Sequence, residues 1–229
     1  MTEADWDCCT DPQVMLDWLR RLGRASERKL RLFAVGCGRL LDPRQLGTAA
    51  QAAVAVAERY ADGLARDDEL YRAARGAQDS AYGEFYSEAH GYLEGFTENL
   101  LAASVASRPI DLAVGSVCAS KGRPGHDAAR SAAQAALLRD LFGPLPFRPI
   151  AIAPSWLAWN DGCAVQLALA AYNERSMPSG RLDPARLAVL ADALEEAGCD
   201  NLDLLVHLRQ PGAVHVRGCT VVDLLLGKS

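Results

Sequence analysis

The sequence predicts an all-α, bundle-like protein with one short extended segment near residues 145–153, and three observations carry that expectation. Asp-Pro pairs recur at Asp11-Pro12, Asp42-Pro43 and Asp183-Pro184. An Asp side chain accepts from the free amides of a helix's first turn and Pro at the first helical position forfeits no bond, so each pair reads as a helix start. Apolar residues return every third or fourth position through most of the chain, as a buried helix face requires. Only "RPIAIA" resembles a strand, and one strand makes no sheet.

Taken in order, the first helix follows Asp11, carries Val14, Met15, Trp18, Leu19 and Leu22 at helical spacing and stops at Gly23, the residue that most easily takes a left-handed closing conformation. A second, over about 26–41, lines up Leu30, Phe33, Ala34, Cys37 and Leu41, although Gly36 and Gly38 each cost about 1 kcal/mol relative to Ala inside a helix. An Ala-rich helix suited to close packing follows Pro43, and a shorter one follows Asp67. Over about 80–107, Tyr82, Phe85, Ala89, Leu93, Phe96 and Leu100 form one apolar stripe, read as core.

The chain restarts at Pro109, and "SKGRPGHD" is a turn by its Gly and Pro content. Its Lys121, Arg123 and His126 lack the order of a phosphate-binding loop. A helix over about 126–141 leads into "FGPLPFRPIAIAP", whose prolines forbid regular helix. This crossing is the expected boundary between an N-terminal helical region, 1–143, and a compact C-terminal helical unit, 150–229, the alternative being one continuous domain. The latter reads as helices over "SWLAWNDGCAVQLALAAYNER", "RLDPARLAVLADALEEAG" and "NLDLLVHLR", while "TVVDLLLGKS" reads as a short helix ended by Gly227, its Val pair also suiting a strand. Glu174 or Arg175 is placed to pair with Asp192 and orient a helical hairpin.

A chain of 229 residues can bury a core without covalent staples. Its seven cysteines are odd in number and the first ten residues are acidic, so the expectation is a cytoplasmic protein with reduced thiols. No apolar run is long enough to suggest a membrane span. The net charge of -5 offers no general attraction to nucleic acid. The local exception, Arg20, Arg21, Arg24, Arg28, Lys29 and Arg31, is read as helix ends and a solvated face, so nucleic acid is not the expected partner.

The chemistry-bearing residues gather near the C-terminus, where Cys199, His207, His215 and Cys219 are spaced C-x7-H-x7-H-x3-C. Zinc takes four Cys and His ligands, and the His-x3-Cys step unites two on one turn or tight loop. Against this, structural zinc sites open with a close ligand pair, whereas most of a helix separates Cys199 from His207. Packing is therefore the favoured reading, with the cysteines as small buried hydrophobes. A thiol nucleophile at Cys219 or Cys163 with His215 or His207 lacks any supporting signature.

The stretches "MTEADWDCCTDPQVMLDWL", "SERKLRLFAVGCGRLL", "AVAVAERYADGLA" and "LADALEEAGC", with the closing "HVRGCTVVDLLLGK", together resemble a family of proteins abundant in planctomycete bacteria. Its members tend to read "FACACCRRIW" where this chain has "FAVGCGRLL", which argues against a metal site at Cys37, and usually carry Trp at the place of Thr220. Trp159, Asn160, Asp161, Gly162, Tyr172, Glu174, Arg175, His207 and 215–219 match the family pattern. The resemblance implies no activity. The expected function is that of a non-enzymatic protein-binding or regulatory module with a protein partner and no cofactor. The alternative is a small zinc metalloprotein or metal-dependent enzyme built on Cys199, His207, His215 and Cys219.

Overall fold

The computed structural model describes residues 1–44, 46–87, 93–119, 127–143 and 147–228. It is helical throughout, and among the described residues the only extended pairings are isolated bridges of Arg181 with Ser176 and with Val216. Of the segment expected to be extended, 145–146 lie outside the described residues, 147–148 make a turn, and 149–153 form no strand, with Ala153 extended ahead of the next helix. No helix among the described residues is long and apolar enough to cross a membrane. The chain divides into two compact units: Thr10–Gln134, and Met1–Cys9 joined by Ala135–Ser229. The division thus falls within a helix, ahead of the proline-rich crossing expected as the boundary. The first nine residues belong with the C-terminal unit, because Trp6 is buried there and Arg139 donates to the carbonyls of Trp6 and Cys9.

The unit Thr10–Gln134 begins with α2 (Pro12–Arg21), capped by Asp11 as its Asp-Pro pair requires. Met15, Leu16 and Leu19 are buried, while Val14 and Leu22 remain about half exposed, so the apolar stripe is narrower than the spacing suggests. Next, α3 (Glu27–Arg39) is buried on every side from Lys29 to Gly38. Gly38 has a packing reason: a Cβ there would stand 3.2 Å from Val54 and 3.3 Å from Val105, so its bare backbone lets α4 (Thr48–Ala61) and α6 (Leu93–Val105) close on α3.

Asp42-Pro43 starts a turn rather than a helix, with the Asp42 carboxylate accepting from the Arg44 amide and α4 beginning only at Thr48. The helix after Asp67 is no short piece: α5 (Asp67–Ser87) runs 21 residues and takes in the start of the stripe expected over 80–107. It buries Leu70, Ala77 and Ala81, while Tyr82 is exposed. Ala89 and the turn at 120–126, with Lys121, Arg123 and His126, lie outside the described residues. α7 (Ile110–Ala119) completes the packing around α3.

The basic stretch does not form one exposed face. Arg31 is buried and donates to the carbonyls of Ser107 and Arg108, at 2.9 and 3.0 Å, beyond the end of α6. Arg28 pairs with Asp62 at 3.0 Å, and Lys29 is buried. A basic helix face here serves as internal wiring, which the solvated-face reading did not anticipate.

In the other unit, α1 (Glu3–Cys8) is closed by a capping box in which Thr2 and Asp5 satisfy each other's amides. α8 (Asp127–Phe142) carries the chain into this unit. The single helix expected over 155–175 is broken: α9 (Pro154–Ala158) and α10 (Cys163–Asn173) flank a tight turn in which Asn160, Asp161 and Gly162 all have positive φ. α11 (Pro184–Glu196) and α12 (Leu202–Arg209) start at the caps Asp183 and Asn201, and α13 (Thr220–Leu225) closes the chain. Their apolar faces share one core that includes Tyr172, Leu187, Leu194, Leu204, Val222 and Cys199. Glu174 pairs with Arg186, and Asp192 with Arg209 at 2.6 Å, so the expected Glu174 or Arg175 link to Asp192 is replaced by two others.

Candidate metal centre

Three elements deliver four side chains to one buried point of the C-terminal unit. Asp140 stands on the last turn of α8, in "ALLRDLFG", where buried Leu137, one turn earlier, shares its helix face. His207 stands near the end of α12. His215 and Cys219 come from the loop before α13, which turns tightly through Gly218 at φ 93° and a Cys219 amide donating to the Val216 carbonyl at 2.9 Å. The Leu182 amide donates to the His215 carbonyl at 2.9 Å, anchoring that loop from outside. Gly143 explains how α8 reaches it: its φ is +52°, and a Cβ there would stand 2.5 Å from the Thr220 methyl, a distance no side chain tolerates.

One ligand atom from each of Asp140, His207, His215 and Cys219 lies within 4.8 Å of all the others. His215 Nδ1 is 2.7 Å from Asp140 Oδ1 and 3.8 Å from Cys219 Sγ. His207 Nε2 is 3.2 Å from that sulfur and 3.3 Å from Asp140 Oδ1. The second Asp140 oxygen accepts from the Val216 amide at 2.8 Å. The imidazoles meet edge to face at 4.8 Å, and His215 Nε2 is buried with no hydrogen-bond partner.

Tetrahedral zinc holds N and O ligands at about 2.0–2.2 Å and sulfur at about 2.3 Å, which places neighbouring ligand atoms roughly 3.3–3.8 Å apart. Two of the four contacts, at 3.3 and 3.8 Å, match those edges, and the His207 to Cys219 contact at 3.2 Å falls just short of them. The fourth, Asp140 to His215 at 2.7 Å, has the length of a charge-assisted hydrogen bond and must open by about half an ångström to admit an ion.

The electrostatics follow from burial. Burial opposes the charge on Asp140, but hydrogen bonds from His207 and His215 outweigh it and hold the carboxyl well below its ordinary range. For His215, burial again opposes the charge, and its bonds to Asp140 and Cys219 prevail, raising it to about 9. Burial and the Asp140 charge push the Cys219 thiol up to about 11. Fully buried and neutral, that thiol is no nucleophile, since attack requires an accessible thiolate. A divalent cation inverts this logic, because it deprotonates a coordinating thiol.

Of the four residues singled out by spacing, His207, His215 and Cys219 meet and Cys199 does not. Cys199 is 4% exposed in the shared apolar core, its amide donating to the Leu194 carbonyl at 2.9 Å, as the packing reading expects of a buried thiol. Asp140 takes its place in the group, a residue that spacing arguments passed over because it lies 75 positions from His215. A carboxylate on the apolar face of a helix was the available signal. All seven cysteines are free. The "HVRGC" stretch has a further task, because Arg217 stacks its guanidinium 4.6 Å from the Tyr172 ring, with Lys228 at 5.1 Å. Compared with protein-family models, curated proteins and solved structures, the chain matches none.

Proposed function

We propose that this is a non-enzymatic helical protein whose C-terminal unit holds a structural zinc ion through Asp140, His207, His215 and Cys219. The observation that carries the reading is the convergence of four donor atoms within 4.8 Å, three from residues no more than 4% exposed. A hydrophobic core has no use for such a gathering of lone pairs, and a cation is its natural complement. Four protein ligands leave no open coordination position for substrate, which favours a structural role over a catalytic one. The ion would tie the end of α8 and the end of α12 to the loop before α13.

Metal analysis of protein purified without added zinc tests this. One equivalent of zinc, lost in both His215→Ala and Cys219→Ala, is the expected result. Absence of zinc both as purified and after reconstitution would refute it.

The 2.7 Å contact of Asp140 with His215 favours a second reading, a metal-free buried ion pair. Protein binding rests on a different observation: Leu202 and Val206, one turn apart on α12, are 72% and 61% exposed. Failure of Val206→Glu to weaken any partner that co-purifies with the wild type would count against that face.

A further inference from the structure

A cavity of about 400 Å3 adjoins the four-donor group. α1 supplies Glu3 and Trp6 to its wall, α8 supplies Arg139, α12 supplies Asp203 and His207, and Arg148 stands among them. His207 is the one donor of the four on this wall, and its side chain keeps 13% exposure against 3% for Asp140. Among the described residues, the other three donors are enclosed by protein.

The wall formed by α1 is fastened rather than continuous. Arg148 Nε donates to Glu3 at 2.9 Å while its Nη1 donates to Asp203 at 3.2 Å, so one guanidinium clasps α1 to α12. Arg139, the residue before Asp140, donates through Nη1 to the carbonyls of Trp6 and Cys9, at 3.0 and 2.9 Å, closing the end of α1. Trp6 is buried, meeting Phe147 edge to face at 6.4 Å.

Building on the zinc reading, we propose that this cavity is the route by which the ion reaches and leaves its ligands, and that α1, fastened by Arg148, is the gate. A closed tetrahedral site must be loaded from one side, and His207 is the donor an incoming ion meets first. The Arg148 clasp occupies two carboxylates, Glu3 and Asp203, that would otherwise draw a cation inward, and it places a positive charge on the path. Releasing the clasp frees both carboxylates and loosens α1 together.

The test uses the full chain. Zinc loading is followed by competition with a chromophoric zinc indicator, and release by transfer to excess EDTA, for the wild type, Arg148→Gln, Glu3→Gln and the control Arg186→Gln. Each cavity variant should speed both loading and release by roughly threefold to tenfold, the weight of two exposed ion pairs, with equilibrium affinity unchanged within about threefold. The control, whose partner Glu174 is outside the lining, should match the wild type. Glu3→Gln opens the same clasp from the other side and serves should Arg148→Gln fail to fold. Zinc bound one to one with unaltered rates, or faster release without faster loading, would overturn the gate and leave the zinc reading standing. No zinc bound by the wild type would remove both.

Discussion

In the unit Thr10–Gln134, buried Arg39 meets Glu58 at 2.9 Å, Arg28 meets Asp62 at 3.0 Å, and Arg31 is spent on two carbonyls. Each cation there faces an acceptor, so the charge is settled by the chain itself. The C-terminal unit buries polarity differently: a carboxylate, two imidazoles and a thiol converge, and every one can lend a lone pair. Burial is equally deep in the two places. The difference lies in how the charge is met: by one guanidinium per carboxylate in the first unit, and in the second by a single carboxylate shared between two imidazoles beside a thiol.

The largest effect should come from Asp140→Ala. In metal-free protein it leaves His215 buried without its partner and should cost about 3–5 kcal/mol by urea unfolding, while zinc binding disappears. A loss below about 1 kcal/mol would show that the contact of Asp140 with His215 is not a buried ion pair whose breaking strands a charge. In the other unit, replacing Arg39 and Glu58 together by Met and Leu should cost little, because well-packed apolar residues often match a buried pair. A severe loss in that double variant would break the comparison.

Zinc itself should stabilise the wild type by about 3–4 kcal/mol when present at a hundred to a thousand times its dissociation constant, read as a rise in melting temperature. His215→Ala should show no such rise.

The metal-free protein should also depend on pH. His215, ordinarily near 6.5, is held at about 9 by bonds to Asp140 and Cys219 that prevail over burial, so its contribution is complete below 6.5 and fades as pH rises to 9. Asp140 is held below 3.8, so its contribution is present above that value and lost as pH falls through the acid range. Denaturant midpoints should therefore form a plateau from about pH 4 to 6.5 and decline toward 9. With zinc bound the alkaline decline should vanish, because coordination needs the neutral ring and the thiolate. An alkaline decline that persists unchanged with zinc would favour the plain ion pair.

The smallest effect is expected from Cys199→Ala. Zinc stoichiometry should stay at one, with a stability loss of about 1 kcal/mol from the space left in the core. Loss of zinc in this variant would restore the set suggested by spacing.

The helices themselves were legible because their causes are local. Asp11, Asp183 and Asn201 cap the helices they precede, Gly23 and Gly227 take the left-handed conformation after the helices they follow, and the three-and-four spacing survives in α3 and α11. Where local signals misled, a specific conformation intervened. Asp42 satisfied an amide two residues on and made a turn, and three successive left-handed residues at Asn160 to Gly162 split a helix that periodicity joins.

The site was half legible. His215 and Cys219 stand four residues apart and one turn unites them, which spacing can express. Cys199 and Asp140 exchanged roles for a reason that spacing cannot carry. Linear pattern decides which face of a helix is apolar and where the helix ends, through interactions spanning a single turn. Which helix end is then pressed against which loop depends on packing between distant segments, here through the bare backbone of Gly143 against Thr220, and that contact brought the Asp140 carboxylate to two imidazoles and a thiol.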